Sequence, residues 1–137
     1  MATKKLCFII QRPPYKSENP KLALTHAISS QSVEVYLKDG DLVTADIAFI
    51  GDGVLNCLKN QKAMDIYKLS STETHIKMAL LLDLNIMVCK EDLEKFGLTE
   101  NDIAMDAEEF GAEMKTKIVP FSEISKMMEE VNHLLFF

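Results

Sequence analysis

Apolar residues along this chain fall into short runs, each bounded by turn residues or charge. Lys4 to Ile10, KKLCFII, is β-branched, aromatic and short, which predicts a buried first strand. QRPPYKSENP follows as a loop: Pro13 and Pro14 forbid helix there, and Pro20 suits the first turn of the next one. Leu22, Ala23, Ala27 and Ile28 then recur at helical spacing, and Ser29 to Ser32 is either the fraying end of that helix or a break within it. Val33 to Leu37, VEVYL, reads equally as a strand or as more helix, and KDGD is a turn. Val43 to Ile50 predicts a second strand ending at GDGV. Asp65 to Tyr67 carries no decisive pattern.

Thr72 to Leu82 predicts a helix with Ile76, Ala79, Leu80 and Leu82 inward. Asn85 to Val88 predicts a third buried strand, and Asp92 to Phe96 a short helix stopped by Gly97. Ile103 to Met105 and Lys117 to Val119 predict two short strands, the second closed by Pro120. Ser122 is placed to cap a helix through Val131, with Ile124, Met127, Met128 and Val131 as its apolar side. HLLFF ends the chain as a strand or a docked tail. The strands are continuous apolar runs rather than strict alternations, and they alternate with helical patterns. Residues 1–137 therefore predict a single α/β domain, a three-layer fold with a mostly parallel sheet flanked by helices in flavodoxin-like layering.

Composition narrows the class. The chain is 47% hydrophobic and 26% charged, with five Gly and four Pro, which is globular rather than low-complexity. No apolar run approaches the roughly 18 residues of a membrane span. MATKKLCFII lacks a small-residue cleavage site and reads as a strand rather than a leader, so a cytoplasmic location without membrane partners is expected. Cys7, Cys57 and Cys89 are odd in number and widely spaced, with no zinc-ligand pattern. They fit reduced thiols, and no metal or cofactor is implied.

The net charge of −6 argues against direct nucleic-acid binding. The charge is uneven: residues 91 to 113 hold nine carboxylates against Lys95 alone. That stretch is either a solvated acidic face or a docking face for a basic partner or neighbouring subunit.

In an open α/β sheet, ligands bind beyond the carboxyl ends of the strands, so the candidate chemistry belongs there. Gly51, Asp52 and Gly53 form a GDG turn, but Asn56 stands where a dinucleotide-binding fingerprint needs its third glycine. Asp52 or Gly53 then serves as an N-cap. His26, His75 and His133 are scattered. Cys7 lies inside a strand and Cys57 in a short helical stretch, both as packed thiols.

Cys89 differs: it sits where a strand hands over to a helix, near unpaired N–H groups that favour thiolate. Lys90 assists that state, whereas Glu91 and Asp92 oppose it, so the direction of the pKa shift stays open.

CFIIQRPPY, AFIGDGV and NIMVCKEDLEKFGL, with the closing FSEISKMMEEVNHLLFF, resemble the DsrE/DsrF/DsrH group of small sulfur-relay proteins, which includes TusB, TusC and TusD. Order and spacing fit the DsrF/TusC branch best. The resemblance implies a DsrEFH-like α/β domain in a trimeric or hexameric complex, homo- or hetero-oligomeric, with like-folded subunits. It also implies sulfur donor and acceptor proteins, no cofactor, and sulfurtransferase chemistry as a persulfide on Cys89. The branch also contains supporting subunits, so the resemblance equally implies a non-catalytic role in such a complex. A small-ligand-binding domain built on Gly51, Asp52 and Gly53 is the third reading.

Overall fold

The structure is a computed structural model, and it describes residues 3–15, 18–32 and 42–137. The ambiguous VEVYL and the KDGD turn lie outside the described residues. Among the described residues there are five strands: β1 (Thr3–Ile10), β2 (Leu42–Phe49), β3 (Asn85–Cys89), β4 (Lys117–Val119) and β5 (His133–Phe136). Five α-helices accompany them: α1 (Asn19–Ser32), α2 (Ala63–Tyr67), α3 (Thr72–Leu81), α4 (Lys90–Lys95) and α5 (Phe121–Glu130).

The strands form one sheet in the order β4-β3-β2-β1-β5, and every neighbouring pair is parallel. The chain steps outward from β1 to β4. It then returns through α5 to lay β5 on the other side of β1.

Successive residues of a strand point to opposite faces, so the continuous apolar runs require cover on both sides. On one face Phe8, Ile10, Ile47, Phe49, Ile86 and Val88 pack with Ala23, Leu24 and Ala27 of α1 and Ile76, Ala79 and Leu80 of α3. On the other, Cys7, Ile9, Ala48, Met87 and Cys89 pack with Ile124 of α5, and Met127, Met128 and Val131 flank them. The expected three layers and apolar helix faces are therefore present.

Several details differ from expectation. The first helix runs unbroken through Ser32, and it buries Leu24 while Leu22 stays 48% exposed. Asp65 to Tyr67 belongs to α2. Ile103 to Met105 is not a strand of the sheet: Ile103 makes one isolated antiparallel bridge to Leu58. Ala104 N donates to Cys57 O, and Met105 O accepts from Thr116 N. These loop partners satisfy a backbone whose side chains looked strand-like.

HLLFF is a strand with a docked end. Just before it Asn132 Oδ1 accepts from Lys5 N at 2.8 Å, and at its end Phe137 N donates to Ile9 O at 2.8 Å. The Phe137 ring stacks on Phe8 with centroids 5.9 Å apart.

On the α5 face, Asp46 lies between Cys7 and Asn85 in the sheet register. Burial raises its pKa, partly offset by its hydrogen bond with Asn85 and by Lys5 and Lys117. An acid with a raised folded pKa contributes stability that is fully present below its unfolded value and is lost as pH rises through the folded one. Asp46→Asn is therefore expected to stabilise the protein at pH 7, with the gain vanishing in acid. Urea midpoints of both proteins across pH check this, and a loss of stability at pH 7 would refute it.

Candidate functional site

Cys89 is the last residue of β3, paired with Val119 of β4, and it occupies the N-cap position of α4. Its side chain faces α5, beside Met87 and Ile124, and the residue is only 1% exposed. The two carboxylates that follow it close the strand end. Glu91 Oε1 lies 3.8 Å from Cys89 Sγ and accepts from Phe121 N at 2.9 Å. Asp92 Oδ2 accepts from Gly51 N at 2.7 Å.

Glu91 thus takes the capping role expected of Ser122, satisfying an orphan N–H at the start of α5. Pro120 occupies the N-cap without a side-chain cap bond, and Ser122 lies inside the helix. Sequence spacing could not reveal this cap, because it arrives from an element 30 residues away.

The geometry resolves the contest over the thiol. Burial pushes the Cys89 pKa up to about 11, against the lowering effect of a backbone hydrogen bond at Asp92. The Asp92 side chain and the charges of Asp92 and Glu91 reinforce the rise. α4 has only six residues, so its dipole is short, and burial with two carboxylates outweighs it. Burial, followed by Asp46, pushes Cys7 to about 12, and burial alone raises Cys57. At neutral pH all three cysteines are thiols.

The GDG turn divides its labour. Gly51 turns the chain after β2 at φ +54 and reaches α4 through Asp92. Asp52 is exposed. Gly53 points to β1 instead: a Cβ there would overlap Ile10 O and lie 2.7 Å from Ile10 C. Neither Asp52 nor Gly53 is an N-cap. Both lie within the 3₁₀ helix Gly51–Cys57, whose N-cap is Ile50.

Asn56 entered the sequence reading only as a missing glycine, yet it is fully buried and structural. Its Nδ2 donates to Arg12 O at 2.7 Å and to Gly53 O at 2.9 Å, tying the loop after β1 to the GDG turn. Gln61 Nε2 and Thr72 Oγ1 both donate to Asn56 O. A lone Asn in the apolar stretch that follows a glycine turn was the available signal.

The remaining candidates are dispersed. His26 is on α1 and His75 on α3, across the sheet from Cys89, and His133 opens β5. Among the described residues no cluster of His, Cys, Asp and Glu is arranged to hold a metal. No helix among them is long and apolar enough to cross a membrane. The acidic stretch is partly neutralised, with Glu109 2.6 Å from Lys77 and Glu108 3.8 Å from Lys115. Two overlapping clefts of roughly 490 and 520 Å³ share Pro14, Tyr15, Gln61, Ala63 and Tyr67, and Cys89 lines neither.

The YchN protein from E. coli has a similar crystal structure, with a TM-score of 0.76 over 98% of this chain and 99% of that one at 17% identity. That likeness shows the fold. A search of the curated proteins found no match. The DsrE/DsrF-like family matches residues 4–137, nearly the whole sequence. The chain belongs to the DsrE/DsrF-like family.

Proposed function

We propose that this protein is a sulfur-relay component of an oligomeric complex, carrying sulfur as a persulfide on Cys89. Family membership supports the sulfur-relay role. The observation that carries the assignment to Cys89 is its place at the end of β3 with Glu91 Oε1 3.8 Å from Sγ. Cys7 and Cys57 are completely buried, Cys7 in the middle of β1 and Cys57 at the end of the 3₁₀ helix, away from any strand's carboxyl end. Three unpaired thiols support a reducing compartment.

The transfer balances without a cofactor. Cys89 Sγ attacks the outer sulfur of a donor persulfide as its proton passes to Glu91. The donor S–S bond breaks, and the donor leaves as a thiolate that recovers that proton. Cys89–S–SH remains, and an acceptor thiolate then attacks its outer sulfur in the same way. Because the resting thiol is buried, the relay needs the strand end to open when a donor docks.

Incubation with a persulfide donor is expected to add about 32 Da, one sulfur atom, to the intact protein, and Cys89→Ser is expected to abolish the addition. Unchanged labelling of Cys89→Ser would sink the assignment. The near-complete burial of Cys89 also favours a second reading, a non-catalytic subunit that shapes the complex. That subunit would take up no sulfur in the same assay, yet it would keep its oligomeric state in Cys89→Ser. A ligand site on the GDG turn is less favoured, since the backbone of β1 fills the space that Gly53 leaves.

A further inference from the structure

The loop after β1 and helix α2 form the two walls of an apolar cleft. Pro14 and Tyr15 stand on one side, Ala63, Ile66 and Tyr67 on the other, and Leu55 and Leu58 contribute between them. α2 buries none of its residues. Tyr15, Met64, Ile66, Tyr67 and Leu69 are 58, 51, 65, 71 and 55% exposed. Single exposed apolar residues are ordinary on a protein surface, whereas a contiguous group with polar rims marks a contact site.

The rim is basic. Lys59, Lys62 and Lys68 are exposed, and none makes an ion pair among the described residues. The complementary chemistry occurs elsewhere on the same chain. Where α4 ends, Phe96 is 38% exposed between Glu94 and Glu100, which with the single base Lys95 are exposed and likewise make no ion pair among the described residues.

We propose that the cleft between Tyr15 and α2 seats the Glu94–Glu100 corner of a second copy of this chain. Phe96 of one copy enters between Tyr15 and Tyr67 of the next, while Lys62 and Lys68 meet Glu94 and Glu100. Two different patches meet, so the contact is head-to-tail, the kind that generates rings when its rotation closes. This assignment rests on the oligomeric part of the proposed function and names its interface.

Sedimentation velocity over a concentration series tests it. The proteins compared are wild type, Ile66→Asp/Tyr67→Asp, Lys62→Glu/Lys68→Glu and Glu94→Lys/Glu100→Lys, with thermal melts as the folding control. All the changed positions are exposed, so the fold should persist. The wild type is expected to associate, and each variant to raise the dissociation constant at least roughly tenfold. The two charge-reversed variants, each dissociated alone, are expected to associate when mixed, because each then offers the other an opposite charge. An associated wild type whose folded variants remain associated would place the interface elsewhere while leaving the oligomeric reading intact. A wild type that stays monomeric at every concentration would overturn the self-association and restrict the oligomeric reading to complexes with other subunits.

Discussion

Gly53→Ala is expected to cost the fold at least about 3 kcal/mol, enough to leave a domain of this size marginal or unfolded. The added Cβ overlaps Ile10 O and lies 2.7 Å from Ile10 C and 3.1 Å from Gln11 N. These are backbone atoms at the end of a central strand, so they cannot rotate aside. Ile50 N donates to Ile10 O at 3.1 Å, and Asn56 fastens the same turn to Arg12 O. Relief therefore requires β1 and the GDG turn to separate, with loss of packing around Ile10, Phe49 and Val54.

Gly51→Ala supplies the contrast. Nothing lies within 4 Å of a Cβ there, and only the positive φ of +54 opposes it. The expected cost is about 1 kcal/mol. Urea unfolding of the two variants separates steric from conformational demand, and equal midpoints for Gly53→Ala and wild type would refute the packing account.

Alkylation of Cys89 in the isolated protein is expected to be slow at neutral pH and to accelerate up to about pH 11. Relative to an ordinary thiol at 9.0, a value near 11 leaves about 100-fold less thiolate at pH 7. Limited access slows the reaction further. Glu91→Gln and Asp92→Asn each remove a charge that opposes the thiolate, so both should speed labelling, although burial, the largest cause, remains. Peptide mass spectrometry after timed iodoacetamide treatment resolves Cys89 from Cys7 and Cys57. Labelling of Cys89 at the rate of an unburied thiol would remove the closed resting state and count against a purely structural subunit.

The same shifts affect stability. A thiol with a raised folded pKa contributes stability that is complete below its unfolded value near 9 and declines as pH rises from there. The protein should therefore lose stability above about pH 9 as its unfolded thiols ionise first.

Much of the architecture was legible from local pattern. Short apolar runs without alternation required strands covered on both sides, and β1 to β4 fall close to those runs. Gly97, at φ +70, ends α4 as its position after a charged-apolar helix implied. Errors arose where a backbone or side-chain partner came from afar. Ile103 to Met105 had strand-like side chains, but its backbone bonds to Cys57, Leu58 and Thr116. Ser122 had the chemistry of a cap, but Glu91 already supplied the acceptor.

The residues by themselves determined the α/β class, the family likeness and the location of a cysteine at a strand's carboxyl end. Those properties depend on periodicity, turn chemistry and residue order, which are written locally along the chain. The state of that cysteine was decided only in three dimensions. Its neighbours in sequence offered Lys90 and backbone N–H groups on one side and Glu91 and Asp92 on the other, with no means of ranking them. Folding places Sγ under α5 and turns both carboxylates into clamps, Glu91 on the start of α5 and Asp92 on Gly51. Burial removes the water that would have solvated a thiolate, and long-range packing, rather than sequence proximity, therefore sets Cys89 as a closed, protonated thiol.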